Sequence, residues 1–508
     1  MGIPVVDIFA GPGGLGEGFA SYVAPGRKGE RAFSIGVSAE MEANAARTLR
    51  LRAFFRKFAR GHAPSSYYDY VAGWRAEPWT AKTQPEWRAA LEEALQLELG
   101  RADHDALLHE RISRVVRKDQ PWVLVGGPPC QAYSLVGRAR NKGIVGYRAE
   151  ADKRHFLYQH YLHIVQRYAP AAFVMENVKG ILSSRVNDEL MFPKIVEDLS
   201  RPGGRHGPKY QVTPLLLKGS ELLETHLPKE FVLRAEEFGV PQARHRVVLL
   251  GVAEGISLHQ AKLLEPTSDR FSVDDVLGGM PPLRSGLTDE DDENWPLVAS
   301  TLLKRAANSA MADEPAVAKR LRDLSAKAAR QKTDPGSGGR WMPKTAKSDS
   351  VPKHLDTWLL DKKLDGILNH EVRDHMSEDL VRYAYASAFA EINTHSPRGA
   401  KEFPSALYPA HKNWESGKFV DRFKVQLSQH PSSTVTSHLS KDGHYFIHPD
   451  PSQFRSLSVR EAARLQTFPE NYFFEGSRGA QYKQVGNAVP PWLAQQIAAT
   501  VYSVISGR

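Results

Sequence analysis

The sequence predicts an α/β protein in which a mostly parallel sheet carries helices on both faces, together with a smaller second domain. Short apolar, β-prone runs recur along the first half of the chain, at residues 5–9, 33–37, 122–125, 172–175 and 247–251. Segments with a helical pattern separate these runs. Such alternation over about 250 residues is typical of parallel sheets buried on both sides. After Gly251 the pattern changes to charged, Ala-rich and Gly-rich stretches, which indicates a separate region.

Composition restricts the class of protein. The chain has 508 residues, 67 basic and 58 acidic side chains, a net charge of +9 and a single cysteine. One cysteine excludes an internal disulfide framework and a multi-cysteine metal site. The apolar runs are far shorter than the ~20 residues that cross a bilayer, and no signal peptide is visible, so we expect a cytoplasmic protein without a membrane partner. The positive balance permits a polyanionic partner without requiring one.

A glycine-rich turn follows the first predicted strand. Residues 11–16 read GPGGLG, which fits the pattern GxGxxG. Glycines are needed where the backbone approaches a ligand closely and then enters a helix. Glu40 ends the second predicted strand, where its carboxylate can bind both hydroxyls of a ribose. This pattern favours a nucleotide-like cofactor, and a nicotinamide dehydrogenase or a plain tight turn are the alternatives.

The only thiol lies directly after a predicted strand. Residues 126–131 read GGPPCQ and place Cys130 behind a rigid Pro-Pro turn. A thiol with a pKa near ~8.5 must lose its proton to act as a nucleophile. No histidine adjoins it, so activation has to come from distant cations or from the substrate. The alternative is a small buried hydrophobic residue, which the Gly-Gly-Pro-Pro context disfavours.

Two further strand ends carry charged side chains. Glu176 follows four apolar strand residues and is expected at the carboxyl edge of the sheet, where it can act as an acid. Arg244 and Arg246 precede the strand at 247–251, and alternation places both on one face with His245 opposite. Paired guanidinium groups suit a phosphate or a carbonyl oxygen. Solvated strand ends are the alternative interpretation in both cases.

Taken together, these segments resemble the DNA cytosine-5 methyltransferases. DIFAGPGGLGEGF resembles the first motif of that family, GGPPCQAYS its nucleophile loop, MENVKG its acid motif and QARHRVVLLG its arginine motif. RSLSVREAARLQTFPENY and QVGNAVPP resemble its last two motifs, and all six stand in the usual order. The resemblance implies a Rossmann-like, S-adenosylmethionine-dependent methyltransferase core over residues 1–252, with a helical insertion at about 51–118. It implies a target-recognition domain over 253–452, and a segment over 453–508 that completes the core.

The resemblance also implies a mechanism. Cys130 attacks carbon 6 of a flipped-out cytosine, Glu176 holds and protonates ring nitrogen 3, and Arg246 with Arg244 engages the base carbonyl. S-adenosylmethionine is the implied cofactor, and no metal is expected. The positions that match cofactor contacts in the family are Phe9, Gly11, Gly13, Glu40, Met41, Leu157 and Asn487. The family's adenine-contacting residue is not evident, and Asp103 is the candidate.

Double-stranded DNA is the implied substrate. Candidate DNA contacts are Gln131, Ser134, Arg138 and Arg140 in the nucleophile loop, and Thr434 in the variable region. Residues 301–350 hold 11 Lys/Arg and 5 Asp/Glu, a net charge of +6, and either follow phosphates or form a solvated, disordered insertion.

The family context predicts the biological setting. We expect a bacterial, nucleoid-associated monomer that protects host DNA alongside a cognate restriction or phage-defence nuclease. Two alternatives remain open: a methyltransferase acting on transfer RNA, and a catalytically silent DNA-binding relative.

Overall fold

The structure is a computed structural model that describes residues 2–26, 29–128, 157–186, 189–216, 226–258, 261–410, 414 and 422–507. The predicted nucleophile and four predicted DNA contacts lie outside the described residues: Cys130, Gln131, Ser134, Arg138 and Arg140.

The described helices, numbered along the chain, are α1 (Gly14–Ser21), α2 (Ala43–Arg56), α3 (Ser65–Ala72), α4 (Gln84–Glu93), α5 (Ala102–Val115), α6 (Leu157–Tyr168), α7 (Met191–Ser200), α8 (Val273–Leu277), α9 (Trp295–Ala310), α10 (Pro315–Ala328), α11 (Lys353–Leu359), α12 (Ser377–Asn393), α13 (Val459–Leu465), α14 (Arg478–Asn487) and α15 (Pro491–Ser506). The strands are β1 (Ile3–Ile8), β2 (Phe33–Glu40), β3 (Ala94–Gln96), β4 (Val123–Gly126), β5 (Ala172–Val178), β6 (Arg185–Val186), β7 (Glu189–Leu190), β8 (Tyr210–Thr213), β9 (Val232–Arg234), β10 (Gln242–Ala243), β11 (His245–Ala253), β12 (Gly338–Pro343), β13 (Gly366–Glu371) and β14 (Ser432–Ser433).

The chain divides into two compact units. The first comprises Met1–Ala63, Trp79–Asp269 and Ala488–Arg508, and the second comprises Pro64–Pro78 and Arg270–Asn487. These bounds differ from the sequence-based division in three places. Residues 253–269, which the sequence assigns to the target-recognition domain, group with the first unit. The short segment around α3 groups with the second unit, and so do residues 453–487, which the sequence assigns to the core.

One sheet organises the first unit. Its strands follow the order β3-β2-β1-β4-β5-β11-β8, with β9 also paired to β11. The first five strands in this order pair in parallel, whereas β11 runs antiparallel to β5, β8 and β9. The predicted mostly parallel α/β fold is therefore confirmed.

Helices cover both faces of this sheet. Successive strand residues point to opposite sides, so Val5 joins a core with the buried residues of α1 and α15, such as Phe19 and Ile497. Val6 joins the opposite core, which includes Ile112 of α5 and Ile164 of α6. The parallel strands thus bring their carboxyl ends to one edge, which is where ligands bind in open α/β sheets.

The second unit contains a helical core and a hairpin. Helices α9, α10 and α12 pack together through apolar side chains that include Leu302, Leu321 and Tyr383. Strands β12 and β13 pair antiparallel. The stretch at 301–350 is thus built mainly of packed helix and hairpin, and the alternative of a disordered insertion is wrong for these residues.

Buried arginines explain why residues 453–487 belong to the second unit. Arg460 donates hydrogen bonds to the carbonyl oxygens of Leu368, Pro469 and Tyr472, at 2.7, 3.1 and 2.5 Å. Its guanidinium therefore ties α13 to β13 within this unit. None of the helices in the described part of the chain is long and apolar enough to cross a membrane.

Candidate active site

An ion pair between neighbouring strands forms the centre of the candidate site. Glu176 near the end of β5 stands opposite Val248 of β11, and Arg246 stands opposite Val178. This register puts both charged side chains on the same face of the sheet. Arg246 Nε lies 2.9 Å from Glu176 Oε1, and the two side chains are only 13% and 14% exposed. Such a partly buried, charge-assisted contact holds the carboxylate in one orientation.

Arg244 and Arg246 do not occupy equivalent positions. Arg244 lies in the break between β10 and β11, and its side chain is fully buried. Arg244 nevertheless lies near enough to Arg246 and Glu176 for their charges to act on it. That both guanidinium groups share one face stays a prediction. Burial lowers the pKa of Arg244 well below its usual value, and the positive charge of Arg246 lowers it further. Burial also lowers the pKa of Arg246, against the opposing effect of Glu176.

The turn that leads to Cys130 packs against the acid motif. A Cβ atom on Gly127 would lie 2.7 Å from Glu176 Oε2, so only glycine leaves room for the carboxylate. The side-chain amide of Asn177 donates a hydrogen bond to the carbonyl of Pro128 at 3.2 Å. Asn177 is buried, and it accepts a bond from the N–H of Val178. Neither the close approach of Gly127 to Glu176 nor the hydrogen bond of Asn177 to Pro128 was predicted from the sequence. The position of Asn177 directly after Glu176 was a usable signal for the second.

The glycine turn lies at the carboxyl end of β1. Phe9, Gly11 and Gly13 all have positive φ, at 55°, 56° and 98°, which is unusual for phenylalanine and typical of strained functional turns. The N–H of Gly11 donates to Glu40 Oε2 at 2.9 Å, and the N–H of Glu42 donates to Oε1 at 2.8 Å. Burial raises the pKa of Glu40, and these backbone hydrogen bonds partly offset the rise.

These residues fit the nucleoside part of a cofactor. A Cβ on Gly11 would meet none of the described atoms within 4 Å, so its backbone borders open space. The two oxygens of Glu40 are fixed by backbone donors and keep further lone pairs for the hydroxyls of a ribose. Met41 is 62% exposed beside them, which leaves its side chain available to a ligand. Leu157 opens α6 and is half-buried.

Strand β3 is an element that the sequence analysis missed. It pairs in parallel with β2, with Gln96 opposite Glu40, and the N–H of Leu97 donates to the carbonyl of Glu40 at 2.9 Å. The residues directly after β3, including the exposed Glu98, therefore lie at the carboxyl edge beside Glu40. Asp103, the sequence candidate for the adenine contact, instead lies in α5, is 64% exposed and pairs with Arg101.

A buried carboxylate that the sequence analysis did not select stands behind the glycine turn. Asp7 of β1 is fully buried, and a Cβ on Gly16 would lie 2.8 Å from its Oδ2. Burial raises the pKa of Asp7 to about 7, against the opposing effects of Arg56 and the backbone of Gly16. The residues after the glycine turn therefore pack against the carboxyl group of Asp7, whose pKa is near neutral.

The two remaining predicted residues belong to the second unit. Asn487 is the last residue of α14 and is exposed. Thr434 follows β14 and is half-buried. Among the residues that the structure describes, no group of three or more His, Cys, Asp and Glu side chains is placed to hold a metal ion.

This fold and this set of side chains define a class of enzyme. The C-5 cytosine-specific DNA methylase family matches the chain over residues 104–503. The chain belongs to the C-5 cytosine-specific DNA methylase family and is a DNA (cytosine-5-)-methyltransferase. This membership implies S-adenosylmethionine-dependent catalysis.

Individual relatives agree with this assignment. The type II methyltransferase M.Bpa9945I of Bacillus paralicheniformis is 32% identical over 99% of both chains. The type II methyltransferase M.AgeI of Thalassovita gelatinovora is 29% identical over 77% of this chain and 85% of its own. A crystal structure of an Escherichia coli putative prophage-encoded DNA modification methyltransferase superposes with a TM-score of 0.55 at 17% identity. It covers 99% of both chains and supports the fold alone.

Proposed function

We propose that this enzyme methylates carbon 5 of a cytosine flipped out of a specific double-stranded DNA sequence, through a transient covalent bond from Cys130. One observation carries the proposal. Glu176, which pairs with Arg246, lies against Gly127, and its neighbour Asn177 bonds to Pro128. Gly127 and Pro128 lead to the only thiol of the chain. An acid, a cation and the approach to a nucleophile therefore converge at one sheet edge.

The side chains divide the chemistry between them. The Cys130 thiolate forms a bond to carbon 6 while Glu176, oriented by Arg246, holds a proton at ring nitrogen 3. Arg246, with Arg244 behind it, supplies positive charge for the base carbonyl as electron density moves into the ring. This addition makes carbon 5 nucleophilic. After carbon 5 is methylated, loss of its proton and departure of the sulfur restore the aromatic ring.

The cofactor is assigned to the glycine turn and its neighbours. When bound, S-adenosylmethionine supplies an electrophilic methyl group. Glu40 accepts hydrogen bonds from the ribose hydroxyls, and the turn at Gly11 and Gly13 gives the close backbone approach. We assign the adenine side to residues directly after β3, with Glu98 in place of Asp103, because β3 ends beside Glu40. Phe9, Met41 and Leu157 complete the proposed set within the first unit, and Asn487 stays a prediction from the sequence.

A trapping experiment tests the covalent step. A duplex with 5-fluorocytosine at the target should form an adduct that resists denaturant, because fluorine cannot leave carbon 5 as a proton does. Cys130→Ser should abolish both adduct and methyl transfer while cofactor binding stays near normal, since the thiol does not hold the cofactor. Absence of the adduct with the intact enzyme, at a duplex that it methylates, contradicts the mechanism. Transfer RNA serves as the competing substrate, and preferential methylation of RNA favours that alternative.

The proposed biological role is protection of host DNA from a cognate restriction or phage-defence nuclease. Two of the similar proteins are named type II methyltransferases, which supports a restriction-modification setting. Bisulfite sequencing of DNA from cells that express the gene would identify the target sequence. Resistance of that DNA to a nuclease with the same target would test protection, and DNA methylated at the target yet still cleaved would contradict it.

A further inference from the structure

Helix α10 (Pro315–Ala328) of the second unit has one apolar and one charged side. Its buried residues follow helical spacing and pack into the core with α9 and α12; they are Val317, Ala318, Leu321, Leu324, Ser325 and Ala328. The opposite side is therefore fixed in orientation by the packing of the helix. Its charged residues cannot turn inward without breaking this core.

The exposed side carries an excess of positive charge. Lys319, Arg322 and Lys327 are exposed there, Arg330 is exposed two residues past the end of the helix, and Asp323 is the one acidic residue between them. The net charge of this face, four cations and one carboxylate, is therefore +3. Lys319 and Arg322 are three residues apart on the helix, so their like charges repel each other on its surface. We call this surface the α10 face.

Two other arginines on these helices are neutralised. Arg320 of α10 pairs with Glu391 of α12 at 2.7 Å, and Arg305 of α9 pairs with Glu378. By contrast, within the part of the chain that the structure describes, none of the four cations on the α10 face has a carboxylate within ion-pair distance. The helix therefore directs its paired arginine toward its neighbour and its unpaired cations toward solvent.

The spacing of these cations suits a polyanion. From Lys319 to Lys327 the helix rises about 12 Å, at ~1.5 Å per residue. Along the axis of B-DNA, one strand places about three to four phosphates over that length, at ~3.4 Å per phosphate. Lysine and arginine reach phosphates as point charges or as planar forks. A rigid row of unpaired cations with this length matches the backbone of a duplex.

We propose that the α10 face binds the phosphate backbone of the duplex DNA substrate. This inference rests on the proposed function, which supplies the DNA, and assigns to α10 a contact that raises affinity without reading sequence. Asp323 opposes this contact and keeps it from becoming a strong site for any polyanion.

Salt dependence of binding tests this inference. Affinity for a short duplex carrying the target sequence is measured from about 50 to 200 mM salt, for the wild type and for the triple variant Lys319→Gln/Arg322→Gln/Arg330→Gln. Each lost phosphate contact should reduce the slope of log K against log salt by about 0.9, giving about 2.7 in all. Across this range the wild type should then lose about 40-fold more affinity than the variant. Asp323→Asn should bind more tightly than the wild type.

A matched control separates contact from net charge. Arg320→Gln removes one charge from the same helix, but that charge is already paired with Glu391, so the slope should stay at the wild-type value. A triple variant with an unchanged slope would overturn the inference. If the triple variant unfolds, Lys319→Gln and Arg322→Gln are measured singly, and a slope change near zero in both has the same meaning. Failure of the wild type to methylate duplex DNA would instead overturn the proposed function.

Discussion

Asn177 donates its side-chain amide to the carbonyl of Pro128, two residues before the predicted nucleophile, while its neighbour Glu176 pairs with Arg246. One strand end therefore positions two different parts of the candidate site. Glu176 faces the sheet edge with the cation, and Asn177 fixes the backbone of the turn that leads to Cys130. The end of β5 therefore fixes the position of Glu176 relative to the backbone that leads to Cys130. We expect this relative position to determine the rate of the covalent step.

Replacing Asn177 should slow chemistry more than it weakens binding. Asn177→Ala removes the bond to Pro128, and a misplacement of about 1 Å near a nucleophile can cost ~100-fold in rate. We expect kcat to fall by about 10- to 100-fold with the Kd for S-adenosylmethionine unchanged. Adduct formation with 5-fluorocytosine duplex should slow to the same extent. An adduct that forms at the wild-type rate would show that Asn177 has a structural role only.

Glu176→Gln should remove the acid while keeping the size of the side chain. General acid catalysis contributes about 10²- to 10⁴-fold, so kcat should fall by at least ~100-fold. Glu236→Gln is the matched control, because Glu236 also contacts a side chain on β11, Nε2 of His245, at 2.7 Å. That variant should retain near-normal activity. Equal losses in the two variants would indicate that the charge balance of β11 matters, and not the acid itself.

The sequence alone was sufficient to single out the charged residues at the strand ends. Glu176 and Arg246 stand next to long apolar runs, and a buried parallel sheet makes such runs easy to recognise. Their convergence follows from the pairing of β5 with β11. The glycine turn was recognisable for a similar reason, since positive φ at Gly11 and Gly13 requires the residue type that marks it.

Other features depended on contacts that no local pattern reveals. Strand β3 has three residues, too few for a periodic signal, and its place beside β2 comes from long-range pairing. The burial of Arg244, in the break before β11, was also not evident from the sequence. Residues 64–78 fold with the second unit because tyrosine hydroxyls, such as that of Tyr67 on the carbonyl of Asn471, bind distant partners. Hydrogen bonds between residues 404 positions apart, such as Tyr67 and Asn471, cannot be recognised from the local spacing of residue types.

Asp7 should make stability depend on pH near neutrality. Its pKa of about 7 in the folded protein lies above the ordinary value of 3.8, so the folded state holds a proton that the unfolded state has released. The stability linked to this proton is complete below about pH 4 and is lost as the pH rises through about 7, by at most ~1.4 kcal/mol per pH unit.

Urea unfolding at acidic and at alkaline pH checks this dependence. The free energy of unfolding of Asp7→Asn should fall less between pH 5 and pH 8 than that of the wild type, by about 1–3 kcal/mol given a slope of ~1.4 kcal/mol per pH unit. Asp119→Asn, which changes an exposed carboxylate, should follow the wild type. If the free energy of unfolding changes with pH to the same extent in all three proteins, the folded state does not raise the pKa of Asp7.

Arg460→Lys should destabilise the second unit despite conserving charge. The planar guanidinium donates to the carbonyls of Leu368, Pro469 and Tyr472 at once. A lysine side chain ends in one compact ammonium group, which cannot reach all three carbonyls. Each buried carbonyl left without a donor costs about 1–3 kcal/mol, so the unfolding free energy of this unit should fall by about 2–4 kcal/mol. Arg322→Lys, at an exposed position, should change it by less than about 0.5 kcal/mol. Because Arg460 anchors α13 to β13, hydrogen exchange should accelerate first in these two elements, and uniform acceleration across the chain would contradict that local role.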